Sequence, residues 1–145
     1  QSAALMVVSN HDTGNPVEDR IFDLRVEDHP EPLSELQRLV GMRRAYYHSS
    51  LGEELLAENR YDEALREFDI AESLAPESEE LIFWRGVAML DAGYADTAKP
   101  LFAKLFAVNP RWAMLLERLP AAGLVPDDPA LIQAIVTLRG RPDDA

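Results

Sequence analysis

Residues 52–76, GEELLAENRYDEALREFDIAESLAP, and residues 86–110, GVAMLDAGYADTAKPLFAKLFAVNP, decide the fold. A shift of 34 residues aligns Gly52 with Gly86, Leu55 with Met89, Ala64 with Ala98, Phe68 with Phe102, Ala71 with Leu105 and Pro76 with Pro110. A period of this length marks stacked supersecondary units, none of which buries its apolar face alone. Each residue type has a physical role in such a unit. Gly52 and Gly86 let two helices approach closely, and Ala64 and Ala98 offer a small surface from the facing helix. Phe68 and Phe102 are expected to fill the space between one unit and the next. Pro76 and Pro110 are expected to end the second helix of each unit, because proline cannot continue the hydrogen-bond ladder.

This period, with its order of small, aromatic and proline positions, resembles the tetratricopeptide family, whose unit is an antiparallel helix pair. The resemblance implies a mainly α chain of tetratricopeptide-like helix hairpins (an α-α superhelix), with units at 45–78 and 79–112. Two residues depart from the pattern. Arg85 stands where the family usually has leucine, and Pro100 falls inside the expected second helix, where it should kink the helix or delay its start to about Asp96. About three stacked units are normally needed, so capping helices are expected at 34–44 and 112–138. The later flank reads as Trp112 to Leu119 and Ala130 to Leu138, separated by a break from Pro120 to Asp128. Gly140-Arg141-Pro142 follows as a terminator.

Upstream, Ala3 to Val8 is an apolar run of strand length, and Phe22, Leu24 and Val26 alternate with Asp23 and Arg25 as a half-buried strand does. The stretch from Asn10 to Pro16 is dense in turn residues, so residues 1–28 read as a short β-hairpin. A lone hairpin is marginal in water, which implies further sheet partners. His29-Pro30-Glu31-Pro32 reads as a stiff linker over 29–33. Ser34 with Gln37 then has the form of a capping box opening a helix to about Glu58, with a break expected near Gly41 or Ser49-Ser50. The helical domain is thus 34–139.

The segments Gln1 to Val8 and Asp23 to Pro32, with the Glu35-Leu36 helix after them, resemble the junction in a little-characterised bacterial family. Its members join an N-terminal nucleophile (Ntn) hydrolase-like domain to a C-terminal part labelled peptidoglycan-binding. The resemblance covers residues 1–40 and, more loosely, 112–129. It implies that residues 1–26 are the last strands of a hydrolase-like sheet.

Composition narrows the function classes. The chain has 145 residues, 47% of them hydrophobic, enough for a real core. A net charge of −12 disfavours nucleic acid or an anionic membrane surface as partner. The first 33 residues are the most one-sided, with seven acids against two bases. No run of about 18 apolar residues and no secretory leader pattern is present, so a soluble chain of undetermined compartment is expected. With no cysteine, disulfides, thiolate metal sites and a cysteine nucleophile are excluded.

No catalytic or metal site is legible. Gln1 lacks the side-chain nucleophile that an Ntn enzyme needs at its first residue. His11 with Asp12, and Asp28 with His29, are neighbours in extended segments and point apart, with no spaced third ligand. His48, beside Tyr46 and Tyr47, reads as a structural or groove histidine. Glu53-Glu54, Asp62-Glu63 and Glu79-Glu80 are adjacent on helices, so each pair diverges instead of facing one bond. No cofactor is implied.

For binding, the tetratricopeptide resemblance points to the inner face of each first helix: Tyr46, Ser49, Glu53 and Leu56, then Glu80, Phe83, Val87 and Leu90. These positions lack the basic and amide residues with which some family members grip a terminal carboxylate. They suit an amphipathic or basic peptide segment, or packing on the associated hydrolase-like domain or a second copy of the chain. Trp84 and Trp112 have the character of sugar-stacking platforms but also of repeat core. The sequence therefore reads as a non-catalytic docking module. A peptidoglycan-binding domain and a hydrolase fragment with its catalytic residues elsewhere are the alternatives.

Overall fold

The computed structural model describes residues 1–8 and 20–138, and it divides into two compact units, residues 1–44 and 45–145. The chain is mainly helical, with a short two-stranded antiparallel sheet at its N-terminal end. No described helix is long and apolar enough to cross a membrane.

In the first unit, β1 (Ala3–Val8) pairs with β2 (Arg20–Val26) in the register Ala3 opposite Val26 and Leu5 opposite Leu24, with an irregularity between Val7 and Val8. This register puts apolar residues of both strands on one face, as period-two alternation demands. Val26 is buried. Beyond β2, Asp28 adopts a positive φ of 49°, and the His29 N–H donates to the Gln1 carbonyl at 2.9 Å.

Helix α1 runs from Pro32 to Ala57. The expected capping box at Ser34 is therefore corrected: the Glu31 carbonyl accepts the first helical bond, from the Glu35 N–H, and Pro32 takes the first helical position. Proline suits that position, since its φ is already helical and the N–H it lacks has no partner there. The break expected at Gly41 or Ser49-Ser50 does not occur either, and α1 is continuous over 26 residues. A single glycine or serine pair in a helix interior weakens it by about 1 kcal/mol or less, too little to interrupt a well-packed helix.

In the second unit the end of α1 is followed by α2 (Tyr61–Leu74), α3 (Glu79–Asp91), α4 (Ala95–Val108), α5 (Arg111–Leu116) and α6 (Pro129–Val136). The 34-residue period extends to the backbone: α2 and α4 share both ends under that shift, and α1 and α3 share their last residue. Each first helix is closed in the same way. Asn59 and Gly93 both take a left-handed conformation, φ 62° and 92°, which a turn reversing the chain after one residue requires. The next amide then reaches back to the first helix, Arg60 N–H to Leu55 O at 2.9 Å and Tyr94 N–H to Met89 O at 2.8 Å. At the far end Ala75 and Asn109 leave the helical region just before Pro76 and Pro110, as residues preceding proline do.

The atoms nearest to the glycines belong to aromatic rings of the facing helix. A Cβ at Gly52 would lie 2.8 Å from the Phe68 ring, and one at Gly86 would lie 2.7 Å from the Phe102 ring. Both phenylalanines are therefore seated on the glycine of their own hairpin, a contact the expected filling of the space between hairpins did not include. Phe68 reaches the next hairpin as well, because the Arg85 guanidinium of α3 lies 5.5 Å over its ring. Arg85 also donates to Asp69 and Glu72 of α2 at 3.1 and 2.8 Å, so α2 and α3 are joined by charge at the position where leucine was expected.

Helix α4 starts at Ala95, within one residue of the expected start near Asp96, and contains Pro100 in its interior. Pro100 is exposed, and its missing N–H removes the bond that would reach the Asp96 carbonyl. Helices α5 and α6 pack on α4 and on each other. Leu116, Leu119, Val125, Ile132, Ile135 and Val136 join Phe102 and Phe106 in one core. Asp128 caps α6 by accepting from the Leu131 N–H at 3.1 Å, with Pro129 next.

Candidate functional site

The expected groove residues part into two sets. Tyr46, Glu53 and Glu80 are exposed, whereas Ser49, Leu56, Phe83, Val87 and Leu90 are buried, Phe83 completely and Leu90 at 1% exposure. Phe83 is thus corrected from groove to core. Immediately after Pro110 the chain turns into α5, and Trp112 stacks on the Phe83 ring with centroids 4.8 Å apart. Phe83 also meets Phe102 and Trp84 edge-on, at 6.0 and 5.2 Å. Chain beyond the second repeat covers a face that an open array would display.

Two adjacent carboxylates organise the ends of this aromatic cluster. Glu79 accepts from the Trp112 indole N–H at 2.8 Å and the Asn109 amide at 3.0 Å. These two bonds, the indole first, hold its carboxyl below the usual range. Glu80 accepts from the Tyr46 hydroxyl at 2.8 Å and, more weakly, from the Trp84 indole at 3.4 Å. Burial, then the Glu80 bond and charge, push the Tyr46 phenol above its usual range. Adjacent helix positions diverge, so Glu79 and Glu80 serve different partners and do not face one another as an acid and base.

Three further polar candidates, His48, Glu63 and His29, are engaged structurally. His48 Nδ1 lies 2.5 Å from Glu67, which ties α1 to α2 within the first hairpin. Glu63 pairs with Arg60 beside it. His29 Nδ1 accepts from the Glu31 N–H at 2.9 Å, which places any ring proton of neutral His29 on Nε2 and commits this nitrogen to the turn before α1. His11 and Asp12 lie outside the described residues. Among the described residues no group of three or more histidines or carboxylates has the spacing to hold a metal ion.

A cleft of about 430 Å³ lies between the ends of α1 and α3 and the segment after α5, and another of about 450 Å³ lies between the turn after α2 and helices α3 and α4. The apolar lining of the first comes from Leu56 and Ala57 on α1, Val87, Ala88 and Ala92 around α3, and Leu124. Trp84 borders it, and Glu53, Asn59 and Asp91 supply its polar groups. Glu53, Leu56, Trp84 and Val87 are the sequence-derived candidates brought together here. Trp112 is not among them, being stacked on Phe83. Although the Glu53 residue as a whole is exposed, partial loss of hydration in the cleft pushes its carboxyl above its usual range. No positive charge sits among the lining residues.

Asn59, Asp91 and Leu124 were not anticipated. A signal for the first two existed: under the 34-residue shift Asn59 matches Gly93 and Ala57 matches Asp91, so both hairpins contribute their first-helix ends to one place. Leu124 had no such signal. It is positioned by a turn in which Gly123 takes φ 74° and the Leu124 N–H returns to the Leu119 carbonyl at 3.2 Å.

No family model matches the chain, and no curated protein or solved structure is significantly similar to it.

Proposed function

We propose that the helical unit is a non-catalytic interaction module of tetratricopeptide type that docks a short peptide segment of a partner protein, or of an associated hydrolase-like domain, in the cleft beside Trp84. The observation that carries this reading is the cleft itself: about 430 Å³, with a lining shared about equally between apolar surface, from aliphatic side chains and one indole, and polar surface to which Glu53, Asn59 and Asp91 contribute. A concave apolar surface with a few placed polar groups is the usual form of a ligand site, and the volume lies within the range of about 300–1,000 Å³ typical of such sites. Both hairpins supply it, with Glu53 and Val87, and Ala57 and Asp91, at equivalent positions of the repeat. His29, His48, Glu79 and Glu80, by contrast, are engaged in a turn, a helix-to-helix contact and bonds to Trp112, Asn109, Tyr46 and Trp84.

A second reading draws on the same indole. Trp84 beside Asn59 and two carboxylates also has the chemistry of a glycan platform, so peptidoglycan binding is the alternative. Selection of random dodecapeptides displayed on phage against the full chain, paired with co-sedimentation on insoluble peptidoglycan, separates the two. Enriched peptides that lose binding to a folded Trp84→Ala variant, with no retention on peptidoglycan, are expected. Retention on peptidoglycan that disappears in the same variant, with no peptide enriched, overturns peptide docking in favour of the glycan.

A further inference from the structure

We infer that the cleft selects a segment carrying an arginine, whose guanidinium enters between Glu53 and Asp91 beside the Trp84 indole while its apolar neighbours rest on Leu56, Val87 and Leu124. The inference rests on the peptide-docking reading and names its ligand. Three independent features point to a cation. Among the described residues neither the Glu53 nor the Asp91 carboxylate has a hydrogen bond or ion pair, whereas the nearby Glu80 on α3 accepts from Tyr46. The lining contains no positive charge to neutralise the two carboxylates, and the chain as a whole carries −12, so a cationic segment is attracted from a distance and satisfied on arrival. The third feature is the indole at the border, the aromatic group that attracts a cation most strongly. Guanidinium suits this setting better than ammonium. It is planar, stacks on aromatic rings, is more weakly hydrated, and presents several donors in fixed directions to two separate acceptors. The aliphatic wall accounts for apolar neighbours, since a guanidinium alone leaves Leu56, Val87 and Leu124 uncovered.

The chain has two tryptophans, so its two indole N–H resonances in a nitrogen-edited proton spectrum act as a probe and an internal control. The full chain is titrated with the acetylated and amidated pentapeptide Leu-Ala-Arg-Ala-Leu and, separately, with the same peptide carrying citrulline in place of arginine. Citrulline keeps the shape and removes the charge. Saturable movement of the Trp84 resonance by the arginine peptide is expected, with the Trp112 resonance stationary and the citrulline peptide weaker by about tenfold or more, which corresponds to about 1.4 kcal/mol. Glu53→Gln with Asp91→Asn should reduce the arginine peptide to the citrulline level, and raising salt from 50 to 500 mM should weaken only the arginine peptide. Equal binding of both peptides at Trp84 overturns arginine selection and leaves peptide docking standing. No movement of Trp84 with either peptide up to 10 mM overturns both.

Discussion

Replacing Gly86 by alanine is expected to destabilise the protein even though alanine is the better helix former. The methyl group would sit 2.7 Å from Cζ of Phe102 and 3.0 Å from both Cε atoms. Carbon atoms attract best at about 3.5–4.0 Å, so the ring must retreat by close to an ångström. Phe102 is fully buried and has Phe83 and Phe106 against it at 6.0 and 5.5 Å, which leaves it nowhere to go without moving the core. Overpacking of this kind costs about 1–3 kcal/mol, and the gain in helix propensity returns about 1 kcal/mol. The expected net loss is about 0–2 kcal/mol, or a fall in Tm of up to roughly 10 °C for a helical unit of this size. Urea unfolding of the full chain followed by circular dichroism at 222 nm measures it. Phe102→Leu in the same chain supplies the cycle: the smaller side chain makes room, so the double variant should be more stable than the sum of the two single losses. A Gly86→Ala protein more stable than wild type by about 1 kcal/mol, the behaviour of an unobstructed helical glycine, would refute the close approach of Gly86 and Phe102.

Arg85 is mostly buried, its Nε has no hydrogen-bond partner, and it depends on Asp69 and Glu72. Arg85→Leu should therefore lie within about 1 kcal/mol of wild type or above it, while Glu72→Ala, which strips the charge of a partner, should cost about 1–2 kcal/mol; a loss above about 2 kcal/mol for Arg85→Leu in urea titrations would count against this account. Glu79 is held ionised by Trp112 and Asn109, so the folded state binds its proton less tightly than the unfolded chain does. Its contribution is present above the ordinary carboxylate range and fades on acidification from about pH 5, so the gap in urea midpoint between wild type and Glu79→Gln should shrink as pH falls, and a constant gap contradicts it. Glu53 has the opposite sign: its raised value means that stability declines as pH rises through the ordinary range to the raised one, and Glu53→Gln should abolish that decline. Carbon-detected titration of the side-chain carboxyl groups checks both directions, and a Glu53 midpoint at or below those of solvated glutamates removes the basis for the second.

Helix hairpins were legible from particular residues. Pro76 and Pro110 stop α2 and α4 two residues before themselves, wherever the helices lie in space, and the repeated small and aromatic positions mark which faces meet. The start of α1 was misjudged because two local signals compete there. Ser34 with Gln37 offers a capping box, yet Pro32 already has a helical φ and the Glu31 carbonyl is free to accept. Pro100 was overweighted, since its exposed ring removes one bond from a helix whose other face is anchored by Ala98, Phe102, Leu105 and Phe106. Part of the candidate groove, Phe83 and Leu90, is covered for a different reason. Periodicity identifies Phe83, Val87 and Leu90 as one apolar stripe, and it says nothing about whether solvent, a ligand or the chain's own continuation covers that stripe.

Local chemistry at fixed spacing therefore determined, from the sequence alone, the helical class, the 34-residue unit, the helix ends after Leu74 and Val108, and the short antiparallel pair at the N-terminal end. These features depend on φ, on missing amides and on side-chain size within a few residues. The tertiary structure decided what covers each face. Trp112 on Phe83, Phe102 under Gly86, Arg85 over Phe68 and Leu124 at the edge of the cleft join residues 16 to 68 positions apart in the chain. Such contacts form where the packed shapes leave room, so burial of the expected groove and opening of the Glu53, Trp84 and Asp91 cleft follow from three-dimensional packing and from no local pattern.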